Sequence, residues 1–360
     1  MKRIVLTGGG TAGHVTPNIA LLPRLRRAGY EISYIGSEQG MEKQLVEAQG
    51  VPYYGISSGK LRRYFDVKNF TDPFRVLKGC GQALRLMKEL QPDVVFSKGG
   101  FVAVPVVVAA RRRRIPVVCH ESDLTPGLAN KLTAPFATKI CCNFPETLQY
   151  LPSEKAVLTG CPIRRELLNG SREAARAMTG FSDEKPVLLV MGGSLGAAAV
   201  NQAVRDSLDA LLRDWQIIHL CGKGKLDASL TDIKGYVQYE YIQEELADLF
   251  ALSDIVISRA GANAICELLA LRKPALLIPL PSGASRGDQL LNAESFARQG
   301  FSMVLEEETL TAGRLTEAVQ ELYDHRQDYI NAMSESPLSD AVESIFSLLD
   351  KAACAHSSSR

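Results

Sequence analysis

The stretch Ile4–His14 constrains the fold of this chain more than any other. A short apolar run, Ile4–Leu6, predicts a buried β-strand, and the glycine-rich segment Gly8–Gly13 follows it directly. Apolar residues then recur at helical spacing, as at Ile19 and Leu22. Glycine lets a backbone approach a ligand closely, and the free N–H groups at a helix start favour an anion. The stretch therefore predicts a strand–turn–helix unit with a site for phosphate or diphosphate.

Three ligand-binding interpretations of this turn compete with that of a plain turn. The glycines of Gly8–Gly13 fit the dinucleotide pattern G-x-G-x-x-G, with Glu38 as a candidate ribose acceptor. The spacing also fits a Walker A loop, but His14 and Val15 stand where Lys and Ser or Thr are required. The third interpretation is a turn that faces a sugar diphosphate, with His14 as a polar group beside it.

Apolar strands alternate with amphipathic helices along the whole chain. The candidate strands with definite bounds are Ile4–Leu6, Ile32–Ile35, Val94–Ser97, Val117–Cys119, Ile140–Cys142, Ile217–Leu220, Val237–Tyr239, Ile255–Ser258 and Ala275–Ile278. Helices are predicted between them, for example over Met41–Gln49 and Val76–Leu90. This rhythm predicts α/β architecture with parallel, doubly wound sheets.

The opening theme is repeated halfway along the chain. The segment Thr159–Pro162 breaks the pattern and predicts an interdomain linker, after which Pro186–Gly196 again reads as strand, glycine turn and helix. We therefore expect domains over 1–162 and 163–337, facing a cleft at the carboxyl ends of the strands. An amphipathic helix over 338–353 is expected to pack back on the first domain, and 354–360 to be a disordered tail.

Charge is distributed unevenly over the 360 residues. Residues 1–163 carry 22 Lys and Arg against 12 Asp and Glu, a net charge of +10, and the remainder carries −9. Such asymmetry points to a membrane or a nucleic acid as partner of the basic half. No zinc-finger or RNP-like motif supports nucleic acid, so a membrane is the stronger prediction. No apolar run reaches the roughly 18–20 residues of a transmembrane helix.

Three segments of the second half carry candidate binding groups. Gly192–Ser194 is a second glycine turn at a predicted helix start. In Ser258–Glu267 a strand ends, Gly261 turns the chain, and Glu267 falls about one and a half turns into the next helix, where a carboxylate can accept from both ribose hydroxyls. The polar loop 279–293 offers Asp288, Gln289 and Asn292 to sugar hydroxyls.

Seven motifs follow one another along the chain in a fixed order. They are Gly9–His14, His120-Glu121, Pro126–Lys131, Gly160-x-Pro162-x-Arg164, Gly192–Gly196, Gly261–Glu267 and Asp288–Ala293. In this order they resemble the MurG family of peptidoglycan N-acetylglucosaminyltransferases, glycosyltransferase family 28. The resemblance implies a GT-B fold, in which two Rossmann-like domains face a cleft and the C-terminal one binds the nucleotide sugar.

The resemblance also implies residue roles in binding UDP-GlcNAc. Glu267 takes the ribose hydroxyls and Ile242 meets the uracil through its backbone. Ser194 and its neighbouring glycines hold the diphosphate with help from Arg164. The other donor residues are Ala262, Asn263, Ala264, Ile265 and Cys266 at the sugar-phosphate corner, Gln289 and Asn130 at the GlcNAc hydroxyls, and Thr11, Ala12 and Gly13 across the cleft. The acceptor diphosphate is assigned to Gly9, Gly10, Thr11, Gly13, Gly99 and Gly100.

The implied reaction moves GlcNAc, with inversion, to the 4-hydroxyl of MurNAc in lipid I and gives lipid II. His14 is the leading candidate for the general base, since imidazole titrates near neutral pH. Glu121 is the second candidate, for which a structural capping bond is the alternative. Helix N-termini and Arg164 can stabilise the leaving UDP, so no protein-bound cofactor or metal ligand is expected. Whether the reaction depends on a metal stays open.

Because lipid I is embedded in a bilayer, the resemblance implies that the basic first half of the chain binds the membrane surface. Aromatic and apolar residues alternate with cations over 62–78, and a run of four arginines follows later. We expect one peripheral patch on the cytoplasmic face of the membrane, formed by Arg62, Arg63, Phe65, Lys68, Phe70, Phe74, Arg75, Leu77, Lys78, Arg111, Arg112, Arg113 and Arg114.

Other functions remain compatible with parts of the pattern. Within the same architecture, the rivals are a diacylglycerol glycosyltransferase and a UDP-GlcNAc 2-epimerase. A protein that binds NAD(P) through Gly8–Gly13 is a different class, although such a fold does not need Glu267 or Gln289. A nucleotide-sugar-binding scaffold without turnover is the third alternative.

Overall fold

The computed structural model describes residues 1–59, 72–193, 196–242, 244–283 and 287–358. The chain divides into two compact units. The first contains Met1–Arg164 and Asp340–Arg360, and the second contains Arg165–Ser339. The sequence places the corresponding boundary after Pro162, two residues earlier.

Within the described residues, the first unit is built on a seven-stranded parallel sheet. Its strands are β1 (Arg3–Thr7), β2 (Glu31–Ser37), β3 (Tyr53–Ile56), β4 (Val94–Ser97), β5 (Val117–Glu121), β6 (Lys139–Cys142) and β7 (Ala156–Leu158). They lie in the order β3-β2-β1-β4-β5-β6-β7. The apolar runs in β1, β4 and β5 are buried, as expected for parallel strands covered by helices on both faces.

Helices connect successive strands of this sheet. They are α1 (Thr16–Arg27), α2 (Glu42–Glu47), α3 (Asp72–Leu90), α4 (Ala103–Arg112) and α5 (Leu128–Thr133). Side chains of α1 pack on one face of the sheet and side chains of α3 and α4 on the other, so two apolar cores form. This is the doubly wound arrangement that the alternating pattern predicts.

The second unit repeats this plan with a six-stranded parallel sheet among the residues described. Its strands are β8 (Val187–Met191), β9 (Gln216–Leu220), β10 (Tyr236–Tyr239), β11 (Ile255–Ser258), β12 (Ala275–Leu277) and β13 (Met303–Val304), in the order β10-β9-β8-β11-β12-β13. Its helices are α6 (Arg172–Thr179), α7 (Ala198–Asp206), α8 (Leu208–Leu211), α9 (Leu246–Leu252), α10 (Ala262–Leu271), α11 (Asp288–Arg298), α12 (Ala312–Asp324) and α13 (Arg326–Ser334). The predicted class, with two doubly wound α/β domains, is confirmed.

Short 3₁₀ segments complete the secondary structure. They are Ala12–His14, Ala134–Phe136, Pro145–Tyr150, Arg165–Leu168, Ala228–Leu230, Glu307–Thr309 and Pro337–Asp340. Three strands were not predicted from the sequence: β3, β7 and β13. Each has two to four residues, and each lies at the edge of its sheet, where a strand needs no continuous apolar run.

The last helix, α14 (Ala341–Ser357), returns to the first unit. Its apolar face joins the core around α1, and Arg24 Nε donates to the Glu343 carboxylate at 2.7 Å. The helix begins three residues later than the predicted start at 338, and residues 354–357 of the predicted disordered tail belong to it. The helix begins after Asp340, whose side chain accepts from the Glu343 N–H, and it extends to Ser357 because no glycine or proline interrupts it.

Both sheets have a point where the strand order reverses. In the first sheet this point lies between β1 and β4, and in the second between β8 and β11. The chain leaves these strands in opposite directions, which opens a crevice at their carboxyl ends where α/β proteins bind ligands. In the described part of the chain, no helix is long and apolar enough to cross a bilayer.

Candidate functional site

Each predicted glycine turn of the first unit follows one of the two strands at the reversal point. Gly8–Gly13 follows β1, and Lys98–Gly100 follows β4. Gly99 and Gly100 have φ angles of +90° and +81°, a left-handed conformation that glycine adopts without strain. A Cβ on Gly100 would overlap the carbonyl oxygen of Gly9, so the two turns are in direct contact. The structure therefore brings together the glycines assigned to the acceptor diphosphate.

The first turn also contacts a buried carboxylate that the sequence analysis missed. Glu42 is 0% exposed, and its carboxylate accepts from the Gly10 N–H at 3.3 Å and the Ser37 N–H at 2.9 Å. A Cβ on Gly9 would overlap this carboxylate. Gly9 thus has a structural reason to be glycine in addition to the predicted ligand, and Gly10 has another in its left-handed φ angle of +89°.

His14 closes the short helical turn that follows the glycines. Its Nδ1 lies 3.0 Å from the hydroxyl oxygen of Thr11, and the ring is half-buried. Asn18 donates to the carbonyl oxygens of Thr7 and His14, which holds the turn against β1. These contacts orient the imidazole at the carboxyl end of β1, where a general base would be needed. Ala12 and Gly13 form the same turn.

Glu121, the second candidate base, is held by three donors. Its carboxylate accepts from the N–H groups of Asp123 (3.0 Å) and Gly127 (2.9 Å) and from Asn130 Nδ2 (2.8 Å). Burial raises the pKa of Glu121, against the lowering effect of these hydrogen bonds. Because the carboxylate organises the turn before α5, the geometry favours the capping alternative over the role of base.

Replacing Glu121 by alanine is therefore expected to destabilise the first unit, by on the order of 3 kcal/mol, because three donors lose their acceptor. Chemical unfolding followed by circular dichroism measures the effect. The exposed Glu154 of the same unit is the matched control, since its alanine variant should change stability by less than about 0.5 kcal/mol. A normally stable Glu121→Ala protein with turnover reduced about a hundredfold or more would instead support the role of base.

Asn130 lies at the same edge of the sheet. It is 9% exposed, and its Nδ2 also donates to the His120 carbonyl oxygen at 3.2 Å. Its Oδ1 has no hydrogen-bond partner among the residues described. The Asn130 Oδ1 atom would lie 3.1 Å from a Cβ on Gly99, so Asn130 borders the second glycine turn. A side chain at this position is close enough to contact a ligand bound to that turn.

In the second unit, a glycine turn again follows the first strand at the reversal point. Gly193 has a φ angle of +82°, and α7 begins at Ala198 after the turn. A Cβ on Gly196 would overlap the Cys221 carbonyl oxygen, which accounts for a glycine there. Ser194, the predicted diphosphate ligand, lies outside the described residues.

The helix α10 follows β11 as predicted, with Gly261 at its N-cap. Glu267 is half-buried at the sixth helical position, and Asn263 and Ala264 are also partly exposed. The other residues of the predicted sugar-phosphate corner face the core: Ala262 (7% exposed), Ile265 (0%) and Cys266 (7%). Those three can reach a ligand only through their backbone atoms.

Gln289 and Asn292 differ in what they can offer to a sugar. Gln289 Oε1 accepts from the Leu280 N–H at 3.1 Å, which ties the start of α11 to the loop after β12. Asn292 is 0% exposed and donates to the Ala260 carbonyl oxygen at 3.3 Å. The Asn292 amide thus supports the turn before α10, and its binding of a sugar hydroxyl stays a prediction.

Arg259 is a second residue that the sequence analysis missed. Its guanidinium donates to the carbonyl oxygens of Ile278 (3.0 Å) and Pro279 (3.3 Å) and forms an ion pair with Glu307. The side chain is 9% exposed and joins the ends of β11 and β12. The sequence did carry a signal for this role, because the charged Arg259 directly follows the apolar strand β11.

The remaining predicted residues lie at the margins of these units. Arg164 is the last residue of the first unit and is partly exposed, and Ile242 follows β10. Among the residues described, no group of three or more His, Cys, Asp and Glu side chains is placed to hold a metal ion.

Part of the predicted membrane patch can be located. Arg75, Leu77 and Lys78 are exposed on α3, with Leu77 68% exposed. The four arginines at 111–114 are exposed at the end of α4, which packs on α3. The other predicted members lie outside the described residues. They are Arg62, Arg63, Phe65, Lys68, Phe70 and the side chain of Phe74.

A cavity of about 580 Å³ opens beside the arginine run. Arg111, Arg114, Phe136 and Lys155 are among the residues that line it. On α5, which packs on α4, Leu128 and Leu132 are each 42% exposed. Cationic and apolar side chains are therefore both exposed on the neighbouring helices α3, α4 and α5 of the first unit.

Comparison with known proteins places both units in one family. Family models described as "Glycosyltransferase family 28 N-terminal domain" and "C-terminal domain" match residues 4–142 and 187–347. A protein of Lachnoclostridium phytofermentans is 63% identical over 98% of this chain and 99% of its own length. One of Lachnospira eligens is 64% identical over 97% and 99%. Both are named UDP-N-acetylglucosamine–N-acetylmuramyl-(pentapeptide) pyrophosphoryl-undecaprenol N-acetylglucosamine transferase.

Solved structures of known proteins match the fold of this chain over nearly its whole length. The crystal structure of Acinetobacter baumannii MurG matches with a TM-score of 0.78 and 29% identity, covering 98% of this chain and 100% of that one. A UDP-GlcNAc 2-epimerase from Neisseria meningitidis matches with a TM-score of 0.65 at 13% identity, over 98% and 100% of the two chains. At that identity the likeness concerns the fold alone.

Proposed function

This chain belongs to glycosyltransferase family 28, and on that basis we propose that it transfers GlcNAc from UDP-GlcNAc to lipid I. The acceptor is the 4-hydroxyl of MurNAc on undecaprenyl diphosphate, and the product is lipid II of peptidoglycan synthesis. The observation that carries the proposal is identity above 60% to two transferases, over nearly the whole chain, whose names state both the donor sugar and the lipid-linked acceptor.

The donor is proposed to bind to the second unit, at the reversal point between β8 and β11. Glycine turns follow both strands there, and α10 begins at Ala262 behind one of them. Backbone N–H groups at such turns and helix starts suit a diphosphate. The partly exposed Glu267, a turn and a half into α10, is in position to accept from the ribose hydroxyls. Arg259 supports this corner from below by holding the ends of β11 and β12 together.

The acceptor diphosphate is proposed to bind at the first unit's reversal point, where the turns of Gly8–Gly13 and Lys98–Gly100 touch. His14 stands at this edge with its ring oriented by Thr11. In a single displacement, the imidazole would remove the proton from the MurNAc hydroxyl as its oxygen attacks the anomeric carbon. UDP would leave from the opposite face, with inversion. Helix starts and Arg164 would stabilise the charge that develops on UDP.

A transfer assay tests the proposed reaction. UDP-[14C]GlcNAc and a soluble lipid I analogue should give labelled product that depends on both substrates. The assay is run with Mg²⁺ and with EDTA, so that metal dependence is measured alongside. Conversion of UDP-GlcNAc to UDP-N-acetylmannosamine without transfer would show epimerase chemistry instead. Thermal stabilisation by NADH, with none by UDP or UDP-GlcNAc, would support the dinucleotide alternative.

The membrane is proposed as the second partner, because lipid I resides in the inner leaflet. The exposed cations Arg75 and Lys78 flank the exposed Leu77 on α3, and the four exposed arginines lie at the end of α4, which packs on α3. Apolar side chains within a cationic surround favour an anionic bilayer surface. We therefore propose peripheral attachment to the cytoplasmic face of the membrane through this side of the first unit.

Replacing all four arginines at 111–114 by glutamine is expected to weaken binding to anionic vesicles by on the order of 10²–10³-fold, at about 1 kcal/mol for each residue near the surface. Vesicle flotation with and without phosphatidylglycerol measures the change. The control variant carries glutamine at four exposed cations of the second unit, Arg213, Lys223, Lys234 and Arg314. Equal binding of the unaltered protein to anionic and neutral vesicles would contradict the electrostatic part of the proposal.

A further inference from the structure

Lys98 is a buried lysine at the reversal point of the first sheet. It follows β4 directly, is 1% exposed, and its backbone N–H donates to the Thr7 carbonyl oxygen at 2.9 Å. Its Cβ would lie 3.2 Å from a Cβ on Gly8, so the side chain passes against the first glycine turn. Gly99 and Gly100, the second turn, come immediately after it.

The ammonium of Lys98 lacks a counter-charge. Its hydrogen bond goes to the hydroxyl oxygen of Ser122, and no carboxylate of the described chain forms an ion pair with it. Lysine is almost never fully buried unless it is paired, because removing an isolated charge from water is costly. A protein that keeps such a group usually uses it.

Several buried polar atoms near Lys98 also lack partners within the described chain. Asn143 donates to the Ser122 carbonyl oxygen at 2.9 Å, while its own Oδ1 has no hydrogen bond. His120 Nδ1 and Asn18 Oδ1 are unpaired as well. Burial lowers the pKa of His120 well below its usual value, and the charge of Lys98 lowers it further, so this imidazole is neutral. Of these two side chains, Lys98 therefore carries the positive charge.

We propose that Lys98 provides the fixed positive charge that binds and positions the acceptor's diphosphate at the two glycine turns. The inference rests on the proposed function and adds a residue to which the family resemblance assigned no role. A diphosphate above Gly99 and Gly100 would supply the missing counter-charge to the ammonium. The attraction is strong in this place because the group is shielded from water. Lys98 would therefore select acceptors that carry a diphosphate.

The Lys98→Met variant tests this inference, since methionine fills similar space without charge. We expect the KM for the lipid I analogue to rise about 10- to 100-fold, a loss typical of a hydrogen-bonded charge pair. The KM for UDP-GlcNAc should change by less than about twofold, and the midpoint of thermal unfolding should rise, because an unpaired buried charge is removed. Lys273→Met is the control, as Lys273 is a largely buried lysine of the second unit whose Nζ donates to the Ser253 carbonyl oxygen.

A second readout uses inorganic pyrophosphate as the probe and needs no turnover. Pyrophosphate should raise the unfolding temperature of the unaltered protein and of Lys273→Met more than that of Lys98→Met. An unchanged acceptor KM together with equal stabilisation of all three proteins would overturn the inference. So would a Lys98→Met protein that is less stable and has normal KM values, since that result assigns a purely structural lysine. If the unaltered protein transfers no GlcNAc, the proposed function fails, and the pyrophosphate comparison alone decides the role of Lys98.

Discussion

The Glu267→Ala variant is expected to raise the KM for UDP-GlcNAc by about 10²- to 10⁴-fold. A carboxylate that accepts from two ribose hydroxyls makes two charge-assisted hydrogen bonds, each worth about 1.5–3 kcal/mol. The carboxylate lies partly exposed on α10, one and a half turns from the helix start at which we propose that the diphosphate binds. Steady-state kinetics at saturating acceptor, with UDP-GlcNAc varied, measure the change.

Two control variants separate this role from a structural one. Glu294→Ala removes an exposed carboxylate from the neighbouring helix α11 and should leave the KM for UDP-GlcNAc unchanged. Glu267→Gln retains an acceptor oxygen and should lose less affinity than the alanine variant. The KM for the acceptor should stay near normal in both Glu267 variants. A Glu267→Ala protein with an unaltered donor KM would remove Glu267 from the nucleotide site.

The His14→Ala variant should lower kcat by at least tenfold, and by up to about 10⁴-fold if the imidazole is the general base. The expectation rests on the ring's place at the carboxyl end of β1 and on its contact with Thr11. Turnover at saturating concentrations of both substrates measures the effect, because a loss of binding alone would appear in KM. The acceptor KM should change far less than kcat.

Matched variants sharpen the test of His14. Thr11→Val removes the hydroxyl that orients the ring while the imidazole remains, so its kcat should fall between those of the unaltered protein and His14→Ala. His325→Ala removes a largely exposed imidazole of the second unit and should have no effect. Near-normal turnover of His14→Ala would show that another group accepts the proton.

The central strands were predictable because two local signals coincide in them. In β1, β4 and β11, an apolar run buried on both faces ends directly at a glycine turn or a polar residue, and the predicted bounds agree within one residue. The strand β8 lies inside the segment Pro186–Gly196 that was predicted as strand, glycine turn and helix. The edge strand β7 has only three residues, all apolar and partly buried, and it takes its place from pairing with β6, which no local pattern records. The final helix was displaced in the prediction because its start depends on the cap at Asp340 and its end on packing against the first unit.

In the candidate site, too, some features follow from the local sequence and others depend on contacts between distant residues. The glycine turns and the place of Glu267 follow from local spacing, and the structure puts each turn at the end of a strand beside a reversal point. The support of those turns depends on contacts between distant residues. Glu42 meets Gly10 from 32 positions away, and Asn292 meets the Ala260 carbonyl oxygen from 32 positions away. Such contacts are set by helix packing, so the same polar residue types could be read as ligand-binding groups from the sequence.

The proposal that the second unit binds the donor is tested by a crystal structure with UDP-GlcNAc bound. We expect the nucleotide on the second unit, with the ribose hydroxyls on the Glu267 carboxylate and the diphosphate against the turn at Gly192 and Gly193. Nucleotide seated at Gly8–Gly13 instead, with Glu267 out of contact, would contradict it.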